Sequence, residues 1–335
     1  MSCLASPVLQ EILPYLAPSL RAILVQLPPS KVQGLEEIRI RKNRPLAVRF
    51  DRGEFFLDAR GNPVAAASEA YCVSGEDLWK TVQLISQSSV YAFEEEFRRG
   101  YLTLPGGHRV GFTGKAVLEG GVIKTLCDLS SLNFRIARAV PGAADPLLPY
   151  VLNLRDGRVY HTLIISPPRA GKTTILRDLI RQLSCGVPHL KFPGLNVGVV
   201  DERSELASCF AGVPQHDLGP RVDVLDHCPK AAGMMMLLRS MSPQVIATDE
   251  IGRLEDVAAL WEMVNTGVSI LTTAHASCWE ELEQRPCLQD LISRRVFQRY
   301  VFLSRRKGPG TIEGVWDELR TPLLGGRREW SAGVS

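Results

Sequence analysis

Residues 166–174 read SPPRAGKTT, set between an apolar run, HTLIIS (161–166), and a segment of helical periodicity, TTILRDLIRQLS (173–184). A buried strand that turns through Gly-Lys-Thr into a helix is the arrangement of a phosphate-binding loop, pattern G-x-x-x-x-G-K-[ST]. Ser166 stands where that pattern begins with glycine. Such a loop holds an anion with backbone N–H groups, the positive end of the following helix and one lysine. Pro167 and Pro168 have no N–H to give, so the donors run from Arg169 through Ala170, Gly171, Lys172 and Thr173 to Thr174. Gly171 admits the backbone close to the phosphates, Lys172 supplies a point charge, and the hydroxyl of Thr173 is spaced to ligate Mg²⁺. The first glycine serves mainly the turn out of the strand, where Ser166 is tolerated if its φ is negative.

Working outward, VIATDE (245–250) is a second apolar run, ending in Asp249 and Glu250. One carboxylate would order the water shell of Mg²⁺ and the next would activate an attacking water. Without a metal and a water relay, adjacent acids at that position would be buried without partners, which is costly. VGVVDERSE (197–205) delivers Asp201, Glu202 and Glu205 in the same manner, and SILTTAHAS (269–277) delivers Thr272, Thr273 and His275. Unbroken apolar runs alternating with segments such as LEDVAALWEMVNTG (254–267) predict a parallel sheet covered on both faces. Ligands bind such sheets at the carboxyl ends of the strands, where these residues fall. RVFQRYVFLSRRKGPGTIEGVWDEL (295–319) reads as two further strands joined by a Gly/Pro turn at the sheet edge.

The first half of the chain has a different character. PVLQEILPYLAPSLRAILVQL (7–27) has helical spacing broken near Pro14 or Pro18. LEEIRIRKNRPLAVRF (35–50) predicts a hairpin turning at Lys42–Pro45, with GEFFLD (53–58) following. Ser74 and Asp77 form the signature of a capping box, Ser89 is read as the cap of the next helix, and YLTLPGGHRVGFTGKAVLEGGVIKTL (101–126) alternates again between glycine turns. The expectation is a smaller α+β domain over residues 1–145 and an α/β domain over 150–335, separated by the Pro- and Gly-bearing stretch ending near 152.

Composition sets the outer limits. With 45% hydrophobic and 22% charged residues over 335 positions, the chain is globular and long enough for two domains. A net charge of +3 gives no reason to propose nucleic acid. No apolar run reaches the roughly 20 residues of a membrane helix, and the first residues lack a basic region ahead of their apolar ones, so the expected location is cytoplasmic. Eight cysteines without a C-x-x-C pair point to reduced, mostly buried thiols.

The order of SPPRAGKTT, VVDERSE, RSMSPQVIATDEIG and LTTAHA resembles the ATPases of type II and type IV secretion and pilus assembly. SVYAFEEEFRRGYLTLPGGHRVGFTGKA, SSLNFRIARAVPG and GPRVDVLDHCPKAAGMMMLLRSMSPQVIATDEIG are similar to the stage III sporulation AA family of endospore-forming bacteria. That resemblance implies a RecA-like P-loop core, grouped with the AAA+ ATPases, acting on ATP and Mg²⁺. It further implies a homo-hexameric ring in the mother-cell cytoplasm, beneath the membrane proteins of a channel to the forespore. In such rings ATP sits between subunits and the N-terminal domain contributes arginines; Arg135 and Arg138 match that role, and Arg109 less well. Arg221 and Arg239 are alternative contacts to a neighbouring subunit.

The expected reaction is transfer of a phosphoryl group to water. Lys172 and the loop amides hold the β- and γ-phosphates, Thr173 and Asp249 hold Mg²⁺, and Glu250 activates the water. Glu202 supports metal or water, and His275 senses the γ-phosphate. Two alternatives remain open at this point: a nucleic-acid motor using FRRG, ISRRVFQR and SRRKGPG, and a nucleotide-gated scaffold with little hydrolysis.

Overall fold

A computed structural model describes residues 7–32, 34–50, 53–86 and 94–325, so Ser89 lies outside the described residues. The chain divides into two compact units, Met1–Arg138 and Ala139–Ser335. The division falls within the Pro- and Gly-bearing stretch, ahead of the 145–150 bounds read from sequence and three residues after the last strand of the first unit ends at Arg135.

In the first unit the helices are α1 (Pro7–Ile12), α2 (Pro18–Leu24), α3 (Pro29–Val32), α4 (Gly75–Ile85) and α5 (Glu94–Arg99). The strands are β1 (Leu35–Arg41), β2 (Ala47–Phe50), β3 (Gly53–Leu57), β4 (Pro63–Val64), β5 (Tyr101–Thr103), β6 (Arg109–Glu119) and β7 (Val122–Arg135). They form one sheet ordered β4-β3-β2-β1-β7-β6-β5, and β1 and β2 are the antiparallel pair expected around Lys42–Pro45. Its core gathers Leu16, Leu20 and Leu24 from the N-terminal helical segment with Ile38, Ile40, Val48, Val110 and Phe134 from the sheet. The capping box of α4 is formed: Ser74 Oγ accepts from Asp77 N–H at 3.0 Å, and Asp77 Oδ2 accepts from Ser74 N–H at 2.9 Å.

The second unit begins with α6 (Leu148–Val151) and the short pair β8 (Leu152–Asn153) and β9 (Arg158–Val159). An eight-stranded sheet follows: β10 (Thr162–Ser166), β11 (Val197–Asp201), β12 (Val222–Asp226), β13 (Val245–Glu250), β14 (Ser269–His275), β15 (Arg299–Ser304), β16 (Thr311–Asp317) and β17 (Pro322–Gly325). Its order is β12-β11-β13-β14-β10-β15-β16-β17. Neighbours from β12 to β15 run parallel, and β16 and β17 return antiparallel. The third strand, β17, rather than β16 forms that edge; PLLG is too short to read as a strand from pattern alone.

Alternate residues of β10 serve opposite cores, as full coverage of a sheet requires. Ile164 packs with Ile175, Leu176 and Leu179 of α7 (Lys172–Cys185). Leu163 and Ile165 pack with residues of α8 (Lys230–Met241), α9 (Leu254–Asn265), α10 (Trp279–Glu283) and α11 (Pro286–Ser293). All five residues of β10 are buried. Truncating one such core aliphatic to alanine costs about 2–5 kcal/mol, so both layers contribute to holding the strand in place.

The described cysteines are free, as expected, but none of them is buried; they are exposed or half-exposed, which corrects that part of the expectation. Helix and strand periodicity filled the core with larger aliphatics, leaving the thiols at its margins.

Candidate active site

The carboxyl ends of β10, β13 and β14 meet because the parallel register aligns them. Ser166 pairs with His275 across β10 and β14, and Glu250 pairs with Thr273 across β13 and β14. Leaving β10, the chain takes a left-handed conformation at Arg169 (φ 60°) and again at Gly171 (φ 91°), the N-cap of α7. Ser166 is not among the positive-φ residues, so the serine sits without strain where the phosphate-loop pattern has glycine. Its side chain is buried, and its hydroxyl donates to the Pro167 carbonyl at 2.7 Å.

Lys172 opens α7 and turns its ammonium back over the loop. Nζ donates to the Ser166 carbonyl at 3.1 Å and to Ser166 Oγ at 3.2 Å, and lies 2.7 Å from Nδ1 of His275. Burial pushes the Lys172 pKa down to about 8, against the attraction of Glu250, which pulls it up. His275 Nε2 lies 3.2 Å from Glu250 Oε2, and the second Glu250 oxygen is 3.2 Å from Arg285 Nη1. An ammonium has no lone pair, so Nδ1 of the imidazole is the acceptor and Nε2–H faces Glu250. The longer 3.3 Å approach of Nδ1 to the Ser166 carbonyl is then a contact and not a bond.

A second cluster lies on β11 and β13. Lys230, the first residue of α8, pairs with Glu202 Oε2 and sits 2.9 Å from Asp249 Oδ1. The Asp249 approach has ion-pair distance without hydrogen-bond geometry, and that buried oxygen has no other partner. Burial pushes the Asp249 carboxyl up to about 6, with Lys230 opposing the shift. Lys230 is held above its ordinary value by Glu202 and Asp249 against its own burial. The helix reaches this position because Gly233 carries no side chain: a Cβ there would come within 2.6 Å of Val200 Cγ1 on β11.

The sequence reading is therefore corrected at one step. Asp249 and Glu250 are not without protein partners; Lys230, His275 and Arg285 provide them. Lys230 and Arg285 were missed, and the only signal for Lys230 was its place beside a glycine-bearing helix start in PKAAG. Asp201, grouped with the other acids, is fully buried and spends both carboxylate oxygens on the backbone N–H groups of Glu205, Leu206 and Ala207, at 2.8–2.9 Å. It shapes the loop after β11. Arg177 of α7 closes the same loop by donating to the Glu205 and Leu206 carbonyls.

The remaining residues fall as follows. Pro168 and Arg169 are exposed, Ala170 is buried, and Thr173 and Thr174 are half-exposed at the start of α7. Thr272 donates to the Asp249 carbonyl at 2.8 Å, tying β14 to β13 beneath the acids. In the first unit Arg135 is exposed at the end of β7, and Arg138 donates to the Leu35 carbonyl at 2.7 Å. Arg109 lies over the Tyr101 ring. Arg221 donates to the Ser184 carbonyl at 2.7 Å, an anchor within its own unit, whereas Arg239 is exposed on α8.

Mg²⁺ is a hard cation that keeps several waters and takes one or two carboxylates together with substrate oxygens. No group of three or more His, Cys, Asp or Glu residues able to hold a metal occurs among the described residues, and a Mg²⁺ site of this kind needs none. The buried Asp249 oxygen, which faces the Lys230 ammonium at 2.9 Å outside hydrogen-bond geometry, and the Thr173 hydroxyl are hard oxygen donors of the kind this ion takes.

A parallel sheet with these strand ends and a Gly-Lys-Thr loop has the fold of the secretion ATPases. The chain superposes on the ATPase DotB of Legionella pneumophila with a TM-score of 0.54 and 17% identity, covering 83% of this chain and 74% of that one. It superposes on the pilus retraction motor PilT, solved with bound ADP, with a TM-score of 0.53 and 16% identity, covering 89% and 82%. These ATPases are a class apart from the AAA+ proteins, which corrects that grouping. The family profile described as "Sporulation stage III, protein AA" matches residues 8–323, and the chain belongs to that family. It is 45% identical over 310 residues to stage III sporulation protein AA of Bacillus subtilis (strain 168), spanning 92% of this chain and 95% of that protein. No helix among the described residues is long and apolar enough to cross a membrane.

Proposed function

We propose that this sporulation-family chain is an ATPase that binds ATP at the Lys172 loop and hydrolyses it with Glu250. The observation that carries the reading is the line Lys172–His275–Glu250, in which a phosphate-gripping cation and a carboxylate base are joined through one imidazole at adjacent strand ends. Lys172 and the amides of Arg169–Thr174 hold the β- and γ-phosphates. Thr173 and Asp249 would hold Mg²⁺, which supplies positive charge to the phosphate oxygens. Glu250, oriented by Arg285, accepts the proton of the attacking water. Once Lys172 engages the phosphates it no longer donates to Nδ1, so His275 reports occupancy to Glu250. Glu202 keeps Lys230 beside Asp249.

In the same reading Arg135 and Arg138 are offered to the site of a neighbouring subunit in a homo-hexameric ring, and the ring works in the mother-cell cytoplasm against membrane proteins of a channel to the forespore. Kinship to the secretion ATPases in fold and to a sporulation family in sequence supports that assignment. Steady-state phosphate release together with ATP binding, for wild type, Lys172→Ala and Glu250→Gln, tests it: Lys172→Ala should lose binding, and Glu250→Gln should bind and turn over slowly. Equal turnover in wild type and Glu250→Gln would remove Glu250 as base.

A further inference from the structure

The basic turn SRRKGPG, which the reaction leaves unused, touches the phosphate loop. Between β15 and β16 the chain turns through Arg305–Gly310, with Gly308 at φ +116° and Gly310 at φ +85°. The Gly310 N–H donates to the Ala170 carbonyl at 2.8 Å. The same residue lies against Gly171: a Cβ on Gly171 would meet Gly310 N at 2.7 Å and Gly310 Cα at 3.1 Å. Gly171 is thus required twice, by its positive φ and by the hairpin tip pressed on it.

The Ala170 carbonyl and the Gly171 N–H belong to one planar trans peptide and point in opposite directions. A donor that fixes the carbonyl toward the hairpin therefore fixes the Gly171 N–H away from it. That N–H lies within the run of amides from Arg169 to Thr174, the donors left once Pro167 and Pro168 are discounted. A carbonyl free to rotate inward would present negative charge to an anion and withdraw one amide. Arg305 and Lys307 are exposed on the same tip, and Arg306 is tied to Glu313 at 3.2 Å, so the tip also places positive charge next to the loop.

We infer that the Arg305–Gly310 turn is a positioning element of the nucleotide site, with the Gly310 amide setting the orientation of the Ala170–Gly171 peptide for phosphate binding. The inference rests on the proposed ATP site and extends it to a segment distant in sequence. Gly310 acts through the loop and does not itself touch the substrate.

The test compares Gly310→Ala with Gly308→Ala in the full chain. Both strain a positive-φ glycine of the same turn, but a Cβ on Gly308 meets nothing within 4 Å and one on Gly310 meets only Ile175 Cδ1, at 3.9 Å. Equilibrium ATP binding should weaken by about tenfold in Gly310→Ala, where strain at φ +85° displaces the bonded amide although its N–H is kept, and by less than about threefold in Gly308→Ala, whose N–H bonds Arg305 within the turn. Equal weakening in the two variants, or wild-type binding by Gly310→Ala, would overturn the inference. Amide hydrogen exchange on the wild type is the second readout: saturating ATP should slow exchange at Gly310, and unchanged exchange would contradict the coupling. Failure of the wild type to bind ATP would instead remove the nucleotide reading, so the two failures are distinguishable.

Discussion

Nδ1 of His275 lies 2.7 Å from the Lys172 ammonium while Nε2 of the same ring lies 3.2 Å from Glu250. One imidazole therefore spans the distance between the group that would grip a phosphate and the group that would activate water. If Glu250 is the base, Glu250→Gln removes proton acceptance and keeps the size and most of the hydrogen bonding of the side chain. ATP binding should stay within a few-fold of wild type, and phosphate release at saturating ATP should fall by about 10²–10⁴-fold.

Lys172 supplies a pH test. Its pKa is pushed down to about 8 by burial, from an ordinary value of 10.5. The folded chain thus loses this proton before the unfolded chain does. The burial penalty applies in full below pH 8 and is relieved as pH rises from about 8 to 10.5, so this group's contribution to stability increases across that window. Its effect on binding has the opposite sign, because phosphate requires the charged lysine. ATP affinity should fall as pH rises through about 8, with proton uptake on binding there. Calorimetric titrations at one pH in buffers of different ionisation enthalpy measure that uptake; no uptake above pH 8 would exclude Lys172 as the gripping cation.

Lys230 holds two acids that the sequence left without a cation. It is 7% exposed and is shared by Glu202 and Asp249. Lys230→Met fills similar volume but leaves the buried Asp249 carboxylate without its cation and Glu202 with Arg253 at 3.9 Å. The free energy of unfolding in urea should drop by roughly 3 kcal/mol at pH 7, and by less near pH 5, where Asp249, already pushed up to about 6, is protonated at little cost. An unchanged denaturation midpoint would mean that the pair contributes nothing to folding.

Asp201 separates a structural acid from a reacting one. Its two oxygens accept three backbone N–H bonds in a fully buried setting. Asp201→Asn turns one acceptor into a donor facing N–H groups, which should cost about 1–3 kcal/mol in stability. Thermal unfolding measures that cost directly. ATP turnover per folded molecule should change far less than in Glu250→Gln.

The strand, loop and helix at 162–185 were legible because their signals are local: an apolar run, two prolines, Gly-Lys-Thr and a helical repeat. The gathering of Ser166, Glu250 and His275 was legible for a related reason, since parallel strands bring their carboxyl ends together by construction. The partners of the acids were not. Lys230 lies 28 residues from Glu202, and Arg285 lies 35 from Glu250, on helix starts whose approach to the sheet depends on packing such as Gly233 against Val200. Nor did the pattern of VGVVDERSE distinguish Asp201, turned into the loop backbone, from Glu202, turned toward Lys230; strand alternation assigns faces and does not assign partners. The contact of Gly310 with Ala170 spans 140 positions and leaves no trace in composition or period.

The central claim is that Lys172 grips a triphosphate at the end of β10. Titration of ATP with Mg²⁺ into wild type and Lys172→Ala, followed by calorimetry under identical conditions, tests it most directly. The account predicts saturable binding by the wild type and binding weaker by at least about a hundredfold in Lys172→Ala, the loss of a buried charge-assisted contact. Equal affinity in the two proteins would contradict it.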